Sequence, residues 1–144
     1  MQNILIINGA NLNMLGQREV SVYGNESFES YFLRLKIGFS ELCELDYFQS
    51  NIEGEIVDRL QSAVGEYSGV VLNAGGYTHT SVVIADAVAL VMGLGLKVVE
   101  VHISNLLQRE SFRHVSLISP VAAGTIWGFG MMGYDLGVES ILRK

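Results

Sequence analysis

The segment Val98–Asn105, with the sequence VVEVHISN, determines how the rest of the chain is interpreted. Its run of β-branched residues is typical of a strand buried on both faces of a parallel sheet, and it ends abruptly on polar residues. Glu100 and His102 are two positions apart, and such positions point to the same face of a strand. We therefore expect a carboxylate and an imidazole to be neighbours at the carboxyl end of a buried strand, where open parallel sheets hold their sites.

The chain has the size and composition of one folded domain, which we place at residues 1–144. Its 144 residues can bury about two-thirds of the unfolded surface, and 49% hydrophobic residues argue against disorder. The net charge of −6 argues against a nucleic acid or an anionic membrane as a partner. The single cysteine, Cys43, suits a reducing cytosol, and we expect it to pack on a helix. Met1–Asn3 lead directly into a strand, so we expect no signal peptide and a cytoplasmic location.

Apolar runs of strand length alternate with segments whose apolar residues recur at helical spacing. The predicted strands are 4–7, 45–49, 69–73 and the segment beginning at Val98, and the predicted helices are 28–42, 52–64, 81–92 and 134–142. Of two later candidates, 115–119 and 125–129, we favour the second as a fifth strand. This order implies parallel pairing through right-handed crossovers. The predicted fold class is α/β, a flavodoxin-like three-layer sandwich with a five-stranded parallel sheet.

Local signals refine these helices. Ser27 is predicted to cap the helix that follows it, and Ser50–Glu53 has the form of a capping box. The apolar run 82–101 has the length of a membrane span, but Asp86 and Lys97 interrupt it. We interpret it as a helix, a turn and a strand. Because the helix is apolar on all sides, we expect it to be buried or at a subunit contact.

Each predicted strand ends in polar residues, and in a parallel sheet these ends meet at one edge. The exits carry amides, hydroxyls and imidazoles, at Asn8, Asn11, Gln49, Ser50, Asn73, His79, His102 and Ser104. The general polarity of strand ends explains any one of them, but four such exits together predict a site. The polar loop after the first strand, roughly 11–25, contains apolar residues and is predicted to form a partly ordered lid.

Residue patterns argue against several chemistries at this edge. The chain has no Gly-x-Ser-x-Gly elbow and no phosphate-binding loop ending in Gly-Lys-Ser or Gly-Lys-Thr. Its three histidines lack metal-ligand spacing, and no lysine follows a strand in the position that a Schiff base needs. Acid–base chemistry on a polar small molecule remains. The arginines Arg18, Arg109 and Arg113 fall near the predicted edge, which indicates either an anionic substrate or an anionic catalytic group.

Tyr23 lies in the predicted lid together with Arg18. A guanidinium close to a tyrosine favours the phenolate, and a phenolate can act as a base. The spacing equally allows Tyr23 to pack the loop while Arg18 is solvated, so the residues alone leave this open.

Motifs along the whole chain resemble those of the type II 3-dehydroquinate dehydratases, and they occur in the family's order. They are Asn8–Gly16, Arg18–Glu19, Tyr23–Gly24, Gln49–Asn51 with Glu53–Gly54, Asn73–Ser81, Glu100–Asn105, Arg109–Glu110, Phe112–His114, Gly128–Gly130 and Gly133–Tyr134. No single motif is specific, but the ordered set is.

The resemblance implies an anti elimination of water from 3-dehydroquinate, through an enolate, to give 3-dehydroshikimate. It implies no cofactor, no metal and no covalent imine. Tyr23 matches the base that takes the C2 proton, Arg18 holds it as a phenolate, and Arg109 supports that charge. His102 matches the acid that protonates the departing hydroxyl, and Glu100 orients it. The reaction serves either aromatic biosynthesis or quinate breakdown, and the sequence does not decide between them.

The resemblance also implies how substrate and subunits are held. Asn11 matches the residue that holds a water on the enolate, and Asp86 matches one that reaches the next subunit's site, because the family forms trimers that assemble into dodecamers. The other implied contacts are Asn73, His79 and Arg113 to substrate hydroxyls and the backbone of Ile103 and Ser104 to the carboxylate. Ala85 stands where the family often has arginine, so the contact of Asp86 is expected to differ.

Two other classes of protein stay open on the residues alone. One is a flavodoxin-like module that binds a nucleotide or a carboxylate without turnover. The other is an oligomeric scaffold whose polar loops are only solvated. Ligand affinity without turnover would indicate the first, and the absence of both would indicate the second.

Overall fold

The computed structural model describes residues 1–17 and 19–143, and these contain a five-stranded sheet in which all strands are parallel. The strands are β1 (Gln2–Asn8), β2 (Cys43–Gln49), β3 (Gly69–Asn73), β4 (Lys97–His102) and β5 (Gly124–Trp127). The helices are α1 (Val20–Tyr23), α2 (Phe28–Gly38), α3 (Glu53–Ala63), α4 (Val82–Gly93) and α5 (Met132–Leu142). The strand order β2-β1-β3-β4-β5 is that of flavodoxin-like sheets, which confirms the predicted fold class.

Two hydrophobic cores, one on each face of the sheet, produce the three layers. In β1, Ile4 and Ile6 enter the core that contains α2 and α5, and Leu5 and Ile7 enter the core that contains α3 and α4. A strand that faces a core on both sides has no position for a polar residue, so β1 appears in the sequence as an unbroken apolar run. Burying each such side chain stabilises the fold by about 1.5–3 kcal/mol.

The register of β1 fixes where the polar strand ends meet. Asn8 is level with Gln49 on β2 and with Asn73 on β3. β1 lies between these two strands. The connection that follows β1 runs to β2 on one side, and the later connections run to β3 and beyond on the other side. A crevice opens at the carboxyl ends of the strands where the direction reverses. The pairing of β4 with β5 places Thr125 level with Glu100. The predicted convergence of polar residues therefore follows from the strand order.

The structure confirms most of the predicted elements. Ser27 and Ser81 cap α2 and α4 through side chains that accept hydrogen bonds from Ser30 and Ile84 backbone nitrogens. The later of the two candidate strands forms β5, as favoured. The apolar run 82–101 divides into α4, a turn and β4, and no helix in the described residues has the length and apolarity that a membrane crossing requires.

Three local predictions are wrong. The helix α2 ends at Gly38, and Leu42 is exposed because the chain turns back at Phe39. Cys43 is buried as expected, but it begins β2 and does not lie on a helix; burial raises the pKa of its thiol.

The proposed capping box at Ser50–Glu53 does not form. Ser50 Oγ accepts a hydrogen bond from the backbone of Ile52 and donates one to Glu55, while Glu53 accepts a hydrogen bond from Ser81 Oγ. Glu53 therefore ties the start of α3 to the start of α4. The sequence pattern identified a helix start correctly but assigned its polar contacts to the wrong partners.

The loops that leave β1 and β3 touch backbone to backbone. Gly9 donates a hydrogen bond from its nitrogen to the Asn73 carbonyl (2.7 Å), and a methyl group on Gly9 would overlap the carbonyl of Ala74. Gly75 has φ of +63°, and a methyl group there would lie 2.8 Å from the Ala10 carbonyl. The close approach of these two loops therefore requires glycine on both sides.

We predict that Gly9→Ala lowers the free energy of unfolding by about 1–3 kcal/mol, because the backbone of Ala74 must move to admit the methyl group. Urea unfolding at equilibrium would measure this. Gly76→Ala is the matched control, since nothing lies within 4 Å of the added methyl group. Equal unfolding midpoints for Gly9→Ala and the wild type would contradict the prediction.

Candidate active site

A narrow cleft of about 100 Å³ opens at the carboxyl ends of the strands. Most of the residues predicted from the sequence line it, namely Asn11, Tyr23, Asn73, His79, His102, Ile103, Ser104, Arg109 and Arg113. Glu100 lies beneath the cleft against His102, whereas Asp86 is exposed on α4 and does not line it. Arg18 is outside the described residues. A larger, shallow depression of about 740 Å³ lies at the opposite edge of the sheet, and none of the predicted residues lines it.

Glu100 and His102 form a buried pair on one face of β4, as their spacing predicts. The Nε2 atom of His102 lies 2.5 Å from Oε2 of Glu100. The carboxyl group is fully buried, and the histidine is 5% exposed. A carboxylate can only accept a hydrogen bond, so Nε2 carries the proton that they share. The other ring nitrogen, Nδ1, is then the one that a ligand in the cleft can meet.

Tyr23 reaches the cleft from α1 and meets a cation there. Arg109 Nη1 donates hydrogen bonds to the Tyr23 hydroxyl oxygen (2.9 Å) and to Ser104 Oγ (3.2 Å). The Arg109 guanidinium also lies over the Tyr23 ring, with 5.4 Å between Cζ and the ring centroid. It is only 12% exposed. A mostly buried guanidinium therefore joins Tyr23 to Ser104 at the exit of β4.

His79 stands beside His102, with 6.4 Å between the two ring centroids. Its Nδ1 donates a hydrogen bond to the Val115 carbonyl (2.8 Å). Burial lowers the pKa of His79, and the positive charges of His102 and Arg113 lower it further, although the bond to Val115 opposes this. A neutral His79 with its proton on Nδ1 presents Nε2 as an acceptor.

A buried chain of amides and a phenol lies beneath the cleft, and its hydrogen bonds through Tyr134 were not predicted from the sequence. Asn73 Nδ2 donates a hydrogen bond to Tyr134 Oη (2.9 Å), and Tyr134 Oη donates one to Asn8 Oδ1 (2.8 Å). Asn73 Oδ1 accepts a hydrogen bond from the Gly75 nitrogen (3.1 Å). Tyr134 is fully buried, and burial raises the pKa of its hydroxyl. Tyr134 belongs to a recognised motif, but nothing local in the sequence pairs it with Asn8, 126 positions away.

Asn11 stands where the β1 exit turns sharply. Its φ of 70° is in the left-handed region, which asparagine tolerates better than most residues. Its backbone nitrogen donates a hydrogen bond to Asn51 Oδ1 (2.9 Å), and Gln49 Nε2 donates to that same oxygen (3.1 Å). Gln49 and Asn51 follow β2, so the exits of β1 and β2 hold each other.

The lid contains two helical turns in its described part, Leu12–Met14 and α1. Leu12 and Leu15 are buried in the core, whereas Met14 and Val20 are exposed. The predicted partial order is therefore present, with its anchor in the first half of the loop.

Histidines and arginines line the cleft, but the described residues include no group of three or more His, Cys, Asp or Glu side chains that could hold a metal ion. Arg113 is positioned by a hydrogen bond from its Nε to Glu110 (3.3 Å). The cleft thus brings together imidazoles, a phenol hydroxyl and two guanidinium groups, and these cations favour an anionic ligand.

Residues 2–142 match the family model described as dehydroquinase class II. The chain belongs to the class II dehydroquinase family. Among curated relatives, the 3-dehydroquinate dehydratase of Campylobacter jejuni is 52% identical over 141 residues, which cover 97% of this chain and 87% of the relative. That of Acaryochloris marina is 45% identical over 142 residues, 98% of this chain and 93% of the relative.

Solved structures of class II dehydroquinases have the same fold. The type II dehydroquinase of Butyrivibrio crossotus superposes with a TM-score of 0.93 at 44% identity, covering 97% of each chain. That of Propionibacterium acnes gives a TM-score of 0.93 at 34% identity, covering 100% of this chain and 98% of that one. These comparisons confirm the family that the motifs indicated.

We predict that Tyr134→Phe lowers the free energy of unfolding by about 1–3 kcal/mol, because Asn73 Nδ2 and Asn8 Oδ1 would each lose a buried partner. Thermal and urea unfolding would measure the loss. Tyr31→Phe is the control, since the Tyr31 hydroxyl makes no hydrogen bond within the described part of the chain. Equal losses in the two variants would contradict the prediction.

We predict that His79→Asn flattens the dependence of stability on pH. The folded protein holds His79 neutral where the unfolded chain, with a histidine pKa of about 6.5, takes up a proton. The unfolded state then binds more protons, so wild-type stability falls as pH falls below about 6.5. The variant lacks this contribution. Urea unfolding at a series of pH values should therefore give a smaller slope of the free energy of unfolding against pH for the variant than for the wild type. The same slope in both proteins would refute the prediction that folding lowers the pKa of His79.

Proposed function

We propose that this protein catalyses the dehydration of 3-dehydroquinate to 3-dehydroshikimate without a cofactor. The observation that carries the proposal is that Tyr23 with Arg109, and His102 with Glu100, line or underlie one cleft in a chain of the class II dehydroquinase family. Removal of a proton beside a ketone and loss of a hydroxyl from the next carbon need a base and an acid in the same cleft.

Tyr23 acts as the base in this proposal. It takes a proton from the carbon next to the ketone, and the electron pair of that C–H bond moves to form the enolate. The Arg109 guanidinium, 2.9 Å from the phenol oxygen, stabilises the charge on Tyr23 before the transfer. Arg18 supplies a second cation from the lid. Asn11 holds the water that stabilises the enolate oxygen.

His102 acts as the acid in the second half of the reaction. As the enolate collapses, the carbon–oxygen bond to the neighbouring hydroxyl breaks and a carbon–carbon double bond forms. The Nδ1 proton of His102 passes to the departing oxygen, which leaves as water. Glu100 stabilises the imidazolium from the buried side.

The remaining polar groups bind the substrate through the donors and acceptors that their hydrogen bonds within the protein leave unused. Asn73 uses its oxygen for Gly75 and one amide hydrogen for Tyr134, which leaves its second amide hydrogen to donate to a substrate oxygen. His79 accepts from a substrate hydroxyl through Nε2. Arg113 binds a second hydroxyl, and the backbone of Ile103 and Ser104 receives the carboxylate.

We also propose that the chain forms trimers that assemble into dodecamers in the cytoplasm, with Asp86 entering the neighbouring subunit's cleft. The exposed side of α4 supports this, since Val82, Val83 and Leu90 on that helix are each more than half exposed. Asp86 is exposed on the same helix. Such an apolar face on an isolated chain favours burial against another protein surface.

The decisive experiment is a turnover assay with 3-dehydroquinate in the absence of added metal or cofactor. The conjugated enone of the product should give a rising ultraviolet absorbance. No turnover by the folded protein would refute the proposed reaction, and ligand binding without turnover would indicate a binding module. Borohydride added with substrate should leave the protein unmodified, whereas a trapped adduct would contradict an imine-free mechanism.

We predict that Tyr23→Phe lowers kcat about 10²-fold to 10⁴-fold, the usual range for loss of a general base, while substrate binding persists. Steady-state kinetics and calorimetric binding would measure the two effects. Tyr67→Phe removes a hydroxyl at the opposite edge of the sheet, where it donates to Asp46, and should leave kcat unchanged. Wild-type activity in Tyr23→Phe would show that another group is the base.

A further inference from the structure

The buried carboxylate of Glu100 has two partners besides His102. Ser116 Oγ donates a hydrogen bond to Oε2 (2.7 Å), and Thr125 Oγ1 donates one to Oε1 (3.2 Å). Ser116 precedes the turn Ser119–Val121, and Thr125 lies on β5 level with Glu100. Neither residue lines the cleft. Their effect on the reaction must therefore pass through Glu100.

The direction of the Ser116 hydrogen bond is fixed by the backbone. Its hydroxyl oxygen accepts hydrogen bonds from the nitrogens of Ile118 (3.1 Å) and Ser119 (2.9 Å). A hydroxyl has two lone pairs and one hydrogen, so both lone pairs are in use. The hydrogen of Ser116 is left for Glu100, and Ser116 cannot accept a proton from it.

The Thr125 hydroxyl belongs to a second chain of donors. Ser119 Oγ lies 2.6 Å from Thr125 Oγ1, and Thr125 Oγ1 lies 3.2 Å from Glu100. When Thr125 gives its one hydrogen to Glu100, Ser119 donates to Thr125. Both carboxyl oxygens of Glu100 then accept from hydroxyl donors that do not depend on His102.

Fully buried carboxylates without donors become protonated, because burial disfavours the charged form and hydrogen bonds to the anion restore it. Without the two hydroxyls, the shared proton would move from Nε2 of His102 to Glu100. The histidine would then be a neutral imidazole with its proton on Nδ1. A neutral imidazole gives up that proton far less readily than an imidazolium does.

We propose that Ser116 and Thr125 are positioning residues that hold Glu100 as an anionic acceptor, so that Nε2 of His102 keeps its proton and Nδ1 serves the departing hydroxyl. The role of Nδ1 rests on the proposed function, whereas the position of the Nε2 proton does not. A purely structural role for the two hydroxyls would stabilise a turn and a strand edge without affecting which nitrogen of His102 is protonated.

The test combines kinetics with nitrogen NMR of protein labelled with ¹⁵N at its three histidines, measured on sedimented samples so that assembly size does not matter. Thr125→Val removes one donor at constant shape, and Ser116→Ala with Thr125→Val removes both. We expect kcat to fall about tenfold in the single variant and further in the double variant, with KM changed less than about twofold, since each donor serves a charged group. In the double variant the Nε2 signal of His102 should become that of an unprotonated nitrogen.

Two control variants separate this role from general damage. Thr125→Ser keeps the donor and should recover most of the lost kcat. Thr78→Val makes the same substitution at a fully buried threonine whose hydroxyl has no partner in the part of the chain that the structure describes, and it should match the wild type. If Ser116→Ala fails to fold, Thr125→Val alone decides through the same two measurements.

A protonated Nε2 and unchanged kcat in the folded double variant would overturn the proposal. A similar loss of kcat in Thr125→Ser and Thr125→Val would also overturn it, because the hydroxyl would then be irrelevant. Failure of the wild type to convert 3-dehydroquinate would refute the proposed function, but the Nε2 signal would still decide whether the hydroxyls hold Glu100 as an anion.

Discussion

The parallel register of β1 with both of its neighbours is the constraint on which the cleft depends. Because Asn8 is level with Gln49 on one side and Asn73 on the other, three strands deliver polar side chains to one line at the carboxyl edge. The loops that continue from β1 and β3 are held together by the hydrogen bond from the Gly9 nitrogen to the Asn73 carbonyl, and the missing side chain of Gly9 leaves room for Ala74. A slip of one residue in either pairing would turn alternate side chains to the opposite face and exchange core residues with site residues. The apolar run of β1 thus fixes the site as well as the core.

Two tyrosines at this edge of the sheet have different surroundings. Tyr134 is enclosed by amides, and burial raises the pKa of its hydroxyl, so it stays a neutral phenol that both accepts and donates. Tyr23 meets the guanidinium of Arg109 instead. A carboxylate shows the same dependence on its surroundings: Glu100 is buried without solvent, and three donors satisfy it. The surroundings of these side chains, more than their residue types, therefore separate the structural roles from the reactive roles proposed above.

The sequence predicted the fold and most of the cleft because the signals concerned are local. Alternating apolar runs identify strands and helices, and parallel pairing then brings the strand ends together without any knowledge of distances. The errors and omissions concern contacts between distant segments. Glu53 was assigned to its own helix but bonds Ser81, and Tyr134 bonds Asn8 across 126 positions. Ser116 likewise lies in the rejected candidate strand 115–119, and nothing local in the sequence pairs it with Glu100. Spacing along the chain carries no information about such partners.

The two sides of the cleft differ in how firmly they are held. His102 lies at the end of the interior strand β4, and the carboxylate of Glu100 beside it accepts hydrogen bonds from Thr125 on β5 and from Ser116. Tyr23 lies at the end of a four-residue helix in the lid, and Arg109 links it to Ser104 at the exit of β4. Sequence changes in this loop therefore act on the position of Tyr23, whereas the contacts of Glu100 come from other segments. A lid that varies in sequence is compatible with an unchanged acid because no contact of Glu100 in the described chain comes from the lid.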